Sequence, residues 1–218
     1  MHCALILAGL LCRPIAKQDP IDSAPTASRF SVGVEGGINY CNLQGNGNQP
    51  FLGAFNSVFT FHVGGYGCYR FAPLFAVQTG LYYSRKGLEN PEFQSPAAPD
   101  TRLDYVTLPL LLKAMPTERF SLYAGPQIAM LLGGRNGSQS LDMRQSGFRR
   151  LDASAVVGAE VRVGPAWLGT RCDVSFLALN PTGAATTQSG QQIQLLAPYN
   201  TYRNQVLQAY LKLCLTKQ

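Results

Sequence analysis

Eight ionisable residues stand out by type and spacing: Glu35, Arg70, Lys113, Asp152, Glu160, Arg162, Arg171 and Asp173. Each falls on the polar side of a segment in which apolar and polar residues alternate, so one wet face would collect them all. Charges gathered in this way can serve two ends. An excess of one sign lines an ion path and selects the opposite sign. A mixture of signs instead forms matched pairs, because an unpaired buried charge is costly. The set mixes acids and bases, which favours a structural charge network, and Glu160 with Arg171, on neighbouring segments, is the pair expected first.

Other chemistries are poorly supplied. Acyl transfer or proteolysis needs an activated nucleophile, with His beside Ser and a carboxylate. Apart from His2 the only histidine is His62, on the polar side of its segment, and it reads as a hydrogen-bonded filler. Cys41, Cys68, Cys172 and Cys214 show no CxxC spacing, so they read as small, fairly apolar free thiols rather than metal ligands. GNGN at 45–48 and GGRNG at 133–137 lack the Lys-Ser/Thr pair of a phosphate loop and read as loop punctuation. The expectation is therefore a protein that is not an enzyme, with no catalytic, cofactor-binding or metal-binding residue.

A second basic group, Arg135, Arg144, Arg149 and Arg150, crowds one long connection. With a formal net charge of +6, it suits contact with anionic lipid headgroups or lipopolysaccharide. The basic residues neither cluster on one helix nor alternate with stacking aromatics, so nucleic acid is not an expected partner.

The elements that must position these residues are strands. Alternation of period two, the mark of a strand with one oily and one wet face, runs through about 30–40, 59–71, 75–86, 103–114, 120–131, 151–163, 167–176 and 205–215. In the first, Phe30, Val32, Val34, Ile38 and Tyr40 share one face, and Ser31, Glu35 and Asn39 the other. The fourth is oily on both faces; placing Val106, Leu108, Leu110 and Leu112 outward sends Lys113 and Pro109 inward, with a bulge expected at Pro109 because proline cannot donate to a ladder.

The connections alternate as well. Those at 71–74, 115–119 and 164–166 are short, whereas those at 41–55, 87–102, 133–150 and 178–204 are long and rich in Gly, Asn, Ser, Gln and Pro. Only 14% of the 218 residues are charged, 22 are Gly, and no apolar run of about twenty residues occurs that would make a helical span. Such features together indicate an all-β fold: an eight-stranded antiparallel up-and-down transmembrane β-barrel. An even strand number puts both chain ends on the side of the short turns, the periplasm, and the long loops outside.

Residues 1–16 read as an export signal around the apolar core CALILAGLL, with cleavage after Ala16 or nearer Ala27. Leu11 before Cys12 argues against lipoprotein processing. Residues 17–29 then form a linker and 30–215 the barrel domain.

The middle and end of the chain carry a more specific pattern: GLYYSRKGLE at 80–89, LDYVTLPLLLKA at 103–114, FSLYAGPQIAMLLGG at 120–134, DASAVVGAEV at 152–161 and NQVLQAYLKLCL at 204–215. In that order the chain resembles the bacterial outer-membrane β-barrel family typified by PorT, a porin-family fold. The resemblance implies an eight-stranded barrel in the outer membrane of a Gram-negative-type bacterium, and the lack of a catalytic set makes a non-enzymatic structural or interaction role the expected one. The resemblance further implies envelope or secretion-system proteins as partners, since the family's namesake is associated with protein secretion. A small selective channel is the alternative. A soluble lipocalin-like ligand-binding barrel is a further one, and it would require Val157, Val161, Leu211 and Leu213 to point inward.

Overall fold

The computed structural model describes residues 29–44, 57–88, 100–142, 148–179, 184–186, 192–194 and 203–216. The expected export signal, most of the linker and Arg144 lie outside the described residues. Eight long strands form the body: β1 (Phe30–Gln44), β2 (Val58–Ala72), β3 (Phe75–Leu88), β4 (Thr101–Thr117), β5 (Phe120–Asn136), β6 (Leu151–Val163), β7 (Ala166–Ser175) and β8 (Arg203–Cys214). Every neighbour in this order pairs antiparallel, and β8 closes onto β1 from Gly33↔Cys214 to Gln44↔Arg203. Closure removes the unpaired edges that a bilayer, which offers no hydrogen bonds, does not tolerate.

The period of two decides which way each side chain faces. Val157, Val161, Leu211 and Leu213 are 60, 44, 45 and 40% exposed on the outer wall. An apolar outside and a polar inside exclude the soluble ligand-binding alternative. The outward rows of β4 (Val106, Leu108, Leu110, Leu112) and β5 (Phe120, Leu122, Ile128, Met130, Leu132) continue the same oily band.

Links 73–74, 118–119 and 164–165 are tight hairpin turns on the side of the chain ends. Gly164 takes φ 61°, the left-handed region that glycine enters without steric cost. On the opposite side the strands outrun their expected ends. β5 continues to Asn136 through the GGRN stretch, and Gln139–Ser140 folds back on it as a two-residue strand. A further short hairpin, Ala184–Thr186 with Gln192–Gln194, decorates the last long connection. Beyond the bilayer a strand needs no oily face, so periodicity gives no warning of these extensions.

The bulge expected at Pro109 is elsewhere. Pro109 pairs with Gln127 without a shift in register, and its carbonyl accepts a 2.9 Å bond from the Thr79 hydroxyl. Proline only withholds a donor, and the ladder passes it without inserting a residue. The register shifts instead near the two ends of the β4–β5 ladder, between Ala114 and Thr117 and between Asp104 and Tyr105, the latter two pairing with Gly133 and Leu131. Leu132 is thus the extra residue on β5. From it onward the outward side of β5 changes from even to odd positions, as a bulge re-aims the chain.

Candidate functional site

The interior of an eight-stranded barrel is just wide enough for side chains to fill it. Here it is filled by charge and tyrosine. Among the described residues the buried ionic groups are four carboxylates (Glu35, Asp152, Glu160, Asp173) and four cations (Lys86, Lys113, Arg171, Lys212), with His62 beside them. They form three layers down the bore.

On the outer side, Lys86 of β3 lies between Asp173 (3.4 Å) and Asp152 (3.6 Å), over the ring of Tyr105. Gln127 donates to Asp173 at 2.8 Å and Ser175 to Asp152 at 2.7 Å. In the middle, Arg171 of β7 reaches past β8 to Glu35 of β1 at 2.8 Å, its guanidinium lying over the rings of Tyr82 and Tyr210. His62 bonds Asn39 at 2.7 Å through Nδ1 and faces Glu35 at 3.6 Å through Nε2. On the periplasmic side, Glu160 of β6 takes Lys113 on one oxygen and Lys212 on the other, the latter at 2.6 Å. Ser121 and Tyr210 add hydroxyl bonds to the same carboxylate, at 3.0 and 3.1 Å. Charge-assisted bonds of this kind are about twice as strong as neutral ones.

Tyrosines of this size need room on the neighbouring strand, where Gly169 stands directly beside Tyr210 and Gly64 beside Tyr82. A side chain at Gly169 would run into the ring of Tyr210, and one at Gly64 would lie 2.6 Å from Tyr82 Cδ1. Leu111, Tyr123, Val156 and Tyr210 pack into the apolar part of the plug.

Of the eight charges read from the sequence, six (Glu35, Lys113, Asp152, Glu160, Arg171, Asp173) lie buried in this network. Arg70 and Arg162 do not. They keep the inward parity but sit where β2 and β6 end at the periplasmic mouth, where Arg70 is exposed, approaching Met115 Sδ, and Arg162 donates to the Gly164 carbonyl. Both line an open cup of about 220 Å³ above Lys113 and Lys212. The expected Glu160–Arg171 pair is replaced. In the register, Arg171 lies beside Gly158 and Glu160 beside Gly169, so the two are two residues out of step and each reaches a different strand.

Two members of the network, Lys86 and Lys212, were absent from the sequence-based set. Parity could have found both, since Lys86 alternates with Ser84 and Tyr82, and Lys212 lies between the outward Leu211 and Leu213. Three of the four arginines read as a loop patch lie among the described residues. Arg149 and Arg150 are exposed just before β6, whereas Arg135 belongs to β5 and faces outward beyond the bulge. Cys41, Cys68, Cys172 and Cys214 carry free thiols. Among the described residues no group of His, Cys, Asp and Glu could hold a metal ion.

Residues 16–182 match the family described as outer membrane protein beta-barrel domain. The chain belongs to this family. Its place is the outer membrane of a Gram-negative bacterium. Among solved structures, this outer-membrane β-barrel is similar to OprG from Pseudomonas aeruginosa (12% identity, 86% of this chain and 96% of that one, TM-score 0.48). It is also similar to Ail of Yersinia pestis in complex with the heparin analogue sucrose octasulfate (13%, 85% and 99%, TM-score 0.45). Neisserial surface protein A is a third (16%, 85% and 97%, TM-score 0.39). No curated protein matches the chain.

Proposed function

We propose that this barrel is a sealed, non-enzymatic envelope protein that acts through its surfaces, its bore serving as a rigid plug. One observation carries the reading: the buried lumen charges of the described residues balance, four against four, and each lies within ion-pair distance of an opposite charge. A conducting path of this width works by leaving one sign in excess to attract its ion. Among the described buried groups there is no such excess. Its only histidine is committed to Asn39 and Glu35, with no hydroxyl or thiol among its bonded partners, which supports a role without covalent catalysis. The resemblance to the PorT family extends the proposal to support of a secretion apparatus, with envelope proteins meeting the outer loops or the periplasmic turns.

Planar-bilayer recording of the refolded protein tests the seal. The expected trace is flat. Steady, ion-selective steps that disappear in Glu160→Gln would replace the plug with the small-channel reading. Crosslinking from the periplasmic turns and outer loops in native membranes tests the partner role, which fails if repeated trials recover no envelope protein.

A further inference from the structure

The outer wall carries a feature that the plug does not explain. Beyond the bulge on β5, Arg135 faces outward and stands directly opposite Arg102 of β4 in the register. On its other side Arg102 meets Gly87 of β3, which has no side chain to offer. Like charges placed directly opposite on a sheet destabilise it. Among the described residues no carboxylate lies within ion-pair distance of either guanidinium, and both are exposed. Two acids border the pair: Asp100 at the rim of the depression, and Asp104 in the row beneath, which attracts Arg135 through space but is bonded to Arg85 Nε at 2.7 Å and to the Tyr83 hydroxyl at 2.6 Å. Arg85, Asp100, Arg102, Asp104, Arg135 and Gly137 enclose a depression of about 290 Å³.

The wall behind this depression is hydrogen-bonded across the two strands. Thr101 and Asn136 are buried on its inner side and bond each other at 3.3 Å, and the Gly137 N–H donates to the Asp100 carbonyl at 3.0 Å. Its height is set by the rows beneath it. Arg85 covers the ring of Phe61, Tyr83 is tied to Asp104, and below them Leu132 and Met130 open the oily band. Aromatic residues mark the bilayer interface, so the arginine pair sits at headgroup level, on the side of the long outer connections. Two guanidinium forks facing one gap make a geometry that a phosphate fills by paired hydrogen bonds to each.

We propose that Arg102 and Arg135, with Arg85 at the edge, form a binding site for a phosphate group of the outer-leaflet glycolipid, the phosphorylated lipid A part of lipopolysaccharide. The apolar band beneath receives its acyl chains. The phosphate resolves the like-charge pairing that the bare protein carries. The proposal depends on outer-membrane placement and not on the sealed lumen, so the two readings fail separately.

Full-length protein refolded in detergent, its folded state checked by heat-modifiable gel migration, is titrated with bisphosphorylated lipid A and followed by native mass spectrometry. Parallel titrations use lipid A stripped of phosphate, phosphatidylglycerol and inorganic phosphate. One equivalent of lipid A is expected to remain bound, and the Arg102→Gln/Arg135→Gln variant to lose affinity roughly tenfold or more, as two charge-assisted contacts disappear. Arg102→Lys/Arg135→Lys retains part of the binding, and the charge-matched Arg29→Gln/Arg119→Gln control on the periplasmic side retains all of it. A stability measurement reads the opposite sign: without lipid A the double Gln variant unfolds at higher denaturant than the parent, and with lipid A at lower. Equal binding by parent and double Gln variant, equal binding of the phosphate-free lipid, or equal displacement by phosphatidylglycerol or inorganic phosphate overturns the proposal.

Discussion

Replacing Glu160 by Gln tests the plug at its most heavily used point. The carboxylate holds two buried lysines, Lys113 and Lys212, which are 5 and 2% exposed. Gln keeps the volume and the hydroxyl contacts but removes the charge. Lys212 then retains one carboxylate, Glu35 at 3.6 Å, with Gln78 at 3.1 Å and the rings of Tyr66 and Tyr210, whereas Lys113 retains Gln78 at 3.3 Å and the rings of Tyr123 and Trp167 but no carboxylate. At the 2.6 Å separation of Lys212 and Glu160, an effective dielectric of about 20 corresponds to a gross attraction of about 6 kcal/mol. Desolvation offsets part of that attraction, and breaking a buried pair by removing one partner typically costs about 3–5 kcal/mol. The expected loss is therefore about 3–5 kcal/mol. Trp167 is the only tryptophan and lies 5.6 Å from the Lys113 ammonium, so its fluorescence during urea unfolding in detergent reads this layer directly. Adding Lys113→Met to the variant removes one of the stranded cations and should recover more than 1 kcal/mol, a coupling that separated charges do not show. A Glu160→Gln protein within about 0.5 kcal/mol of the parent would mean that the lumen charges are hydrated, and the argument for a sealed plug would collapse.

Two further outcomes follow from the same packing. Gly169→Ala places a methyl group against the Tyr210 ring, whose hydroxyl is fixed by Tyr123 and Glu160, so the site cannot relax cheaply; a loss of about 1–3 kcal/mol is expected in the urea midpoint with the slope unchanged. Val157→Arg puts a charge at the middle of β6 on the lipid side and should cost about 2–4 kcal/mol when unfolding is measured from liposomes, whereas a null effect would contradict the orientation of the wall.

Much of this architecture is legible in the sequence. Period-two alternation named the strands and their outer faces, down to Val106–Leu112 on the strand that is oily on both sides. It failed in two places, for one reason. Alternation is maintained only where a bilayer enforces it, so the extension of β5 through Gly133–Asn136 passed as loop. The bulge at Leu132, which inverts the parity that follows, left no trace in composition either. Arg135 consequently read as part of a diffuse basic loop, when its neighbour is Arg102, 33 positions earlier in the chain.

The sequence by itself determined eight strands, an oily exterior, a wet interior and a common side for both ends, because each of these depends only on a residue's parity within its own strand. The pairing inside the barrel depends on more. Which acid meets which base is set by the stagger between strands and by reach across the bore. Thus Arg171 ignores Glu160 on the adjacent strand and spans to Glu35, while Glu160 gathers lysines from β4 and β8. Stagger is a property of the closed sheet, and only the tertiary structure decided it.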